Sequence, residues 1–144
     1  MAGVILDSSV YIDSFRRGDF TILSERRMDF DGEGLIVYLS AVVLSELYAG
    51  ATNSKAKERI TRVERDFEKG GRLLTATRGD WAITGQTLLK IGKKYGFETI
   101  GRSRLTNDCL IAITARRAGL ILVTGNAKDF RLIAEFRPFR FEEI

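Results

Sequence analysis

The sequence predicts an α/β fold: a central, mostly parallel sheet flanked by helices on both sides. Three observations carry that prediction. The runs "GVILD" (Gly3 to Asp7) and "LILVT" (Leu120 to Thr124) are short, apolar and rich in β-branched residues. They lack alternation, as strands covered on both faces do. Segments with helically spaced apolar residues stand between such runs, which is the pattern of a parallel sheet with crossover helices. No linker, repeat or low-complexity tract interrupts the 144 residues, so one domain over residues 1–144 is expected.

The elements follow in order. After the first strand, "SSVYIDSFRR" reads as a helix with Val10, Ser14 and Phe15 on one stripe. A second helix is expected through "DFTILSERRMDF" (Asp19 to Phe30), then a turn at "DGEG" (Asp31 to Gly34). "LIVYLS" (Leu35 to Ser40) reads as a strand, and Ser40 is a good N-cap for the helix "AVVLSELYAGA". The next helix, Asn53 to Gly71, puts Ile60, Val63 and Phe67 on one face and is closed by glycines. Its many charges read as a solvated face with i,i+4 pairs. "RLLTAT" (Arg72 to Thr77) is a short strand. Asp80 to Gly96 and Arg104 to Gly119 are amphipathic helices with glycine stops. The strand ending at Thr124 leads into a polar loop, "VTGNAKDF" (Val123 to Phe130). The tail from Phe136 to Ile144 alternates like an edge strand, with the lone Pro138 near its start.

Composition narrows the chemistry. There is no histidine, so imidazole acid–base catalysis and imidazole metal ligation are excluded. The single cysteine, Cys109, rules out an intrachain disulfide and fits a reducing compartment, the cytoplasm. No signal-peptide pattern is seen at the N-terminus, and no apolar run nears the ~20 residues of a membrane span. Lysine and arginine number 23 against 19 acids, a surplus that permits a polyanionic partner without demanding one. Any metal held by this chain is held by oxygen.

Three acids stand where acids are costly. Asp7 ends the first strand, at the edge where open α/β sheets bind ligands. It is equally well placed to cap the next helix. Glu46 has Val42, Val43, Ala49 and Gly50 as helical neighbours, so it shares the inward face. An internal salt bridge or a place at the edge of the stripe accounts for it as well. Asp108 has Ile111, Ala112 and Ala115 on its face. It also suits a first helical turn, with Thr106 or Asn107 as cap. Asp129 lies just beyond the second strand end, past Thr124 and Asn126. A carboxylate cluster with no histidine or thiolate calls for a hard cation, Mg²⁺ or Mn²⁺. A carboxylate-held metal pair suits hydrolysis of a phosphodiester, one ion activating water and the other stabilising the leaving oxygen.

At this point "ILDSSVYID", "VLSELYAGA" and "LTNDCLIAITARRAGLILVTGNAKDF" resemble, in order and spacing, the three motif blocks of the PIN-domain nucleases, most closely the VapC-type toxins of toxin–antitoxin pairs. The resemblance covers almost the whole chain. It implies a PIN-like fold, Mg²⁺- or Mn²⁺-dependent endonuclease action on RNA with water as nucleophile, a small antitoxin that blocks the site, and a homodimer. It assigns Asp7, Glu46 and Asp108 as metal-binding acids, with Ser9 and Thr124 as supporting hydroxyls. Many members carry an aspartate where Asn126 stands here. Asn126 offers a carbonyl oxygen without charge, and Asp129 is the candidate for the missing negative charge. Arg102, Arg104 and Lys128 are candidate contacts to RNA phosphate.

The sequence leaves three other readings: an RNA-processing PIN nuclease without an antitoxin, a PIN fold that binds RNA without cutting, and a receiver-like Mg²⁺-binding signalling module. The last lacks the paired acids after the first strand and the aspartate at the end of a middle strand.

Overall fold

The computed structural model describes residues 3–18, 26–28, 34–102 and 105–144. The elements are β1 (Gly3–Leu6), α1 (Ser8–Arg17), β2 (Arg26–Met28), β3 (Gly34–Ser40), α2 (Ala41–Ala49), α3 (Ser54–Lys69), β4 (Leu73–Leu74), α4 (Arg78–Tyr95), α5 (Glu98–Arg102), α6 (Leu105–Ala118), β5 (Ile121–Thr124), α7 (Lys128–Phe136) and β6 (Phe141–Glu143). The α/β class expected from the sequence is the class observed.

The sheet runs β2-β3-β1-β5-β6, with β4 also paired to β3. β3, β1, β5 and β6 are mutually parallel, and β2 is antiparallel to β3. β2 takes the first half of the free edge of β3 and β4 takes the last two residues, Leu39 and Ser40. β1 lies in the centre with Val4, Ile5 and Leu6 all buried, so both of its faces are covered. That burial is why its sequence is apolar without alternation. One group of helices comprises α1, α2 and α3, and a second comprises α4, α6 and α7.

The chain crosses from β1 to β3 on one side and later returns to β5 on the other. The carboxyl ends of β1 and β5 therefore flank a topological switch point, where open α/β sheets leave a crevice. The register pairs Leu6 with Val123, so the next residues, Asp7 and Thr124, leave the sheet side by side. Gly119 permits this placement. Its φ of +70° reverses the chain after α6, and Leu120 N–H then bonds the Ala115 carbonyl at 2.9 Å, which starts β5 directly beneath the helix.

Several expectations are corrected. Arg26–Met28 is a strand, not part of a helix over Asp19 to Phe30; the other residues of that helix and of the turn before Gly34 lie outside the described residues. Pairing to β3 overrides a segment whose own spacing favours a helix. The strand expected over Arg72 to Thr77 shrinks to Leu73–Leu74, because Thr77 is committed to α4. Its hydroxyl accepts the Asp80 N–H while the Asp80 carboxylate accepts the Thr77 N–H, a capping box that starts the helix at Arg78. The loop expected through Phe130 ends sooner, since Lys128 and Asp129 open α7, whose Phe130 and Ile133 are buried. The edge strand expected over Phe136 to Ile144 shrinks to β6, since Phe136 closes α7.

Candidate active site

Asp7 is the pivot of the crevice. It is the N-cap of α1, and its Oδ1 accepts the Ser8 N–H at 2.8 Å. Its Oδ2 accepts two hydroxyls, Ser9 Oγ at 3.0 Å and Thr124 Oγ1 at 2.9 Å. Capping and site-building are therefore not alternatives here, because one carboxylate does both. The hydroxyls are themselves oriented by backbone. Gly125 N–H donates to Ser9 Oγ at 3.0 Å, and Asn126 N–H donates to Thr124 Oγ1 at 3.0 Å. A hydroxyl that accepts from an amide has its single proton left to give, and Asp7 is the acceptor both share. Thr124 is fully buried and Asp7 is 6% exposed, so the bond between them is shielded from bulk water, whereas Ser9 is half-buried and Gly125 and Asn126 are exposed.

Asp7, Ser8, Ser9, Ile12, Glu46, Asp108, Asn126 and Asp129 line one cleft of ≈ 270 Å³. Glu46 enters from α2, which Ser40 caps by accepting the Val42 N–H at 3.1 Å. Val43 and Leu47 hold that helix in the core, while Ala49 and Gly50 are exposed. Glu46 thus stands at the edge of the apolar stripe, half-buried, rather than on a wholly inward face. Asp108 enters from the first turn of α6 and is half-buried. Thr106 and Asn107 are helical residues of α6 and do not cap it.

Asp129 sits in the first turn of α7 and lines the same cleft as Asp108. Burial, chiefly, and then the charges of Asp7, Asp129 and Glu46 push the Asp108 carboxyl up to about 8. Among the described residues, no three acidic or thiol side chains are drawn close enough to hold an ion in this arrangement. The carboxylates border the cleft and do not converge on one point of it.

The remaining candidates divide. Asn126 is exposed at the rim of the cleft. Lys128 is exposed next to Asp129, on α7 rather than in a loop. Arg102 ends α5, and Arg104 lies outside the described residues. Cys109 follows Asp108 but is fully buried, and burial pushes its thiol up to about 11, so it is no nucleophile.

Sequence reasoning missed Glu143. Its carboxylate accepts the Ala127 N–H at 3.2 Å and pairs with Arg131 at 2.9 Å. Ala127 has no side chain with which to cap α7, so Glu143 of β6 substitutes from sixteen residues away. The missing cap at Ala127 was the one local signal that a partner had to come from elsewhere.

With this geometry in view, comparison with known proteins is informative. A protein named Ribonuclease VapC2 from Haemophilus influenzae is 29% identical over 137 residues, covering 95% of this chain and 96% of that protein. A chain of DNA-bound VapBC from Salmonella typhimurium matches 99% of this chain with 98% of its own, at a TM-score of 0.65 and 24% identity. A toxin–antitoxin complex from Klebsiella pneumoniae matches 95% of this chain with 98% of its own, at a TM-score of 0.58 and 20% identity. The two structures share the fold described above. The family model described as PIN domain matches residues 4–135, which takes in Asp7, Glu46, Asp108, Thr124 and Asp129 and sets aside a receiver module. The chain belongs to the PIN domain family.

Proposed function

We propose that this chain is a metal-dependent endoribonuclease that hydrolyses RNA phosphodiester bonds as the toxin of a toxin–antitoxin pair. One observation carries the reading. Asp7 from the β1–α1 junction, Glu46 from α2, Asp108 from α6 and Asp129 from α7 border one cleft at the carboxyl edge of parallel strands. By its chemistry the donor set suits a hard divalent cation, Mg²⁺ or Mn²⁺, although the carboxylates do not converge on one point in this arrangement. The set offers oxygen alone, and Asp108 keeps its proton to about pH 8 until positive charge arrives. Asp7, Glu46 and Asp108 would hold the ion, with Asp129 and the Asn126 carbonyl alongside. When bound, it supplies water of lowered pKa and neutralises charge at the scissile phosphate.

The chain's own residues do the rest. Ser9 and Thr124 fix the Asp7 carboxylate, and Ile12 gives the cleft an apolar wall. Arg102, Arg104 and Lys128 are assigned to RNA phosphates, whose binding they favour without reading sequence.

A groove of ≈ 400 Å³ between α1, α2 and α3 supports a protein partner. Ile12, Phe15, Leu47, Ala51 and Ile60 line it, and Ile12 and Glu46 belong to both groove and cleft. An antitoxin helix laid there by its apolar face would reach the site. The name of the Haemophilus influenzae relative and the description of the Klebsiella pneumoniae complex point the same way. We assign the protein to the cytoplasm, as a single domain that pairs into a homodimer. Among the described residues, no helix is long and apolar enough to cross a membrane.

The test is cleavage of a mixed single-stranded RNA pool with Mg²⁺, with Mn²⁺ and with EDTA, alongside Asp7→Asn. Asparagine caps helices as well as aspartate does, so the variant keeps its fold. Cuts that require both metal and Asp7 are expected. The uncharged Asn126 favours a second reading, RNA binding without cleavage; intact metal binding with no cuts would select it. Cleavage with no antitoxin encoded nearby would instead select the RNA-processing reading.

A further inference from the structure

A further cavity, of ≈ 470 Å³, with Ile83 and Ile113 in its wall, lies between the start of α4, the last turn of α6 and the segment after α7. Three arginines line it with Thr77, Gly79 and Asp80. Arg117 Nε donates to both Asp80 oxygens, at 3.0 and 2.8 Å, and Asp80 is 2% exposed. That pair consumes the one carboxylate of the cavity. Arg116 Nε donates to the Pro138 carbonyl at 2.9 Å. Arg137 Nε is buried and has no hydrogen-bond partner among the described residues. Among the described residues, no carboxylate pairs with Arg116 or Arg137.

The cavity thus carries two uncompensated guanidinium charges. The Nε bonds of Arg116 and Arg117 fix their planes; Arg117 also gives a terminal N–H to the Thr75 carbonyl at 3.5 Å, while the terminal N–H groups of Arg116 are left for another acceptor. A buried guanidinium N–H without an acceptor is costly, and Arg137 keeps one at this wall. The positive end of the α4 dipole faces the same space. Arginines in the last turn of α6 have an ordinary reason to be there, since they complement that helix's own dipole. Arg137, the C-cap of α7, has the same reason in its own helix, but that does not account for its Nε being buried at this wall without an acceptor among the described residues.

We propose that this cavity binds a phosphate group, carried on a polynucleotide backbone or as free phosphate. Fixed guanidinium forks around a concave site match the charge and oxygen geometry of phosphate. The site is separate from the carboxylate cleft. α6 carries Asp108 in its first turn and Arg116 two turns later, roughly 12 Å along its axis. The proposal does not depend on the nuclease reading.

Trp81, the only tryptophan, supplies the probe. It follows Asp80 in the first turn of α4 and is 56% exposed. Metal-free full-length protein is titrated with inorganic phosphate at constant ionic strength, and separately with a single-stranded oligonucleotide, following Trp81 fluorescence and the thermal midpoint. A saturable response is expected. Arg116→Ala and Arg137→Gln are each expected to weaken it at least about tenfold, the loss of one good charge-assisted hydrogen bond. Arg116 is exposed, so its variant remains informative should Arg137→Gln fail to fold by circular dichroism. Tighter binding of the oligonucleotide than of phosphate identifies a backbone ligand, and the reverse order identifies free phosphate. No saturable response in the wild-type protein would overturn the proposal. So would wild-type affinity in folded variants of both arginines.

Discussion

Thr124 gives its hydroxyl proton to Asp7 Oδ2 across 117 residues of sequence, at 2.9 Å. The bond ties the last residue of β5 to the residue that follows β1. The threonine also receives the Asn126 N–H, so it couples the carboxylate to the turn after β5.

Thr124→Val keeps the shape and removes that link. The Asn126 N–H loses its side-chain acceptor, and a loss of roughly 1–3 kcal/mol in stability is expected. Divalent-ion affinity should fall about 10- to 100-fold, as when an outer hydrogen bond to a ligating carboxylate is removed. Calorimetric titration with Mn²⁺ reads the second effect, and unchanged affinity would show that Thr124 does not orient Asp7.

The neutral residue at position 126 gives a matched pair of variants. Asn126→Asp adds a charge at the rim of the cleft and should lower the Mn²⁺ concentration needed for half-maximal cleavage several-fold. Asp129→Asn removes one of the charges that push the Asp108 carboxyl up and should raise it. If Asp129→Asn has no effect on metal dependence, α7 contributes no ligand.

Asp108 makes metal-free stability depend on pH. Its carboxyl titrates near 3.8 when unperturbed and about 8 in the fold, so the folded state holds the proton more tightly. The associated stability is whole below about pH 3.8, falls as pH rises and is gone above about 8. In EDTA the melting temperature should therefore drop between pH 5 and pH 8.5. Saturating Mg²⁺ should flatten the slope, and Asp108→Asn should reduce it even without metal. A slope that persists in Asp108→Asn would assign the effect to another group.

Tyr11 is fully buried and its hydroxyl has no hydrogen-bond partner among the described residues. Burial pushes the phenol above its ordinary range. Tyr11→Phe removes an unsatisfied polar atom and keeps the ring, so a gain of roughly 1 kcal/mol is expected in denaturant unfolding. A loss of similar size would mean that the hydroxyl is satisfied in solution.

The parts of this fold legible in the sequence are those where local and global preferences agree. β1 and β5 are buried on both faces, which leaves an uninterrupted apolar signature, and Asp7 is conspicuous because it breaks one. Glu46 and Asp108 stood out as acids among apolar helical neighbours. The misread elements are those decided by distant partners. Arg26–Met28 is a strand only because the edge of β3 is there to pair with it. α7 lies behind a Gly-Asn turn signal and opens without a capping side chain, because Glu143 serves that purpose from β6. The arginine cavity was invisible for the same reason, since its three guanidiniums meet only once α6 and the segment after α7 are packed.

The pairing of β1 with β5 also sets the order in which this protein becomes competent. A chain still being synthesised has Asp7 and Ser9 from the outset, then gains Glu46, but its crevice has only one wall until Thr124 has emerged. Closing so long a loop delays the late strand pairing, because its entropy is lost before any contact repays it. β6 then seals the outer edge of β5, with the Ile144 N–H bonded to the Thr124 carbonyl at 3.0 Å. Nascent or clipped fragments that lack β5 therefore contain most of the acids but only one wall of the cleft.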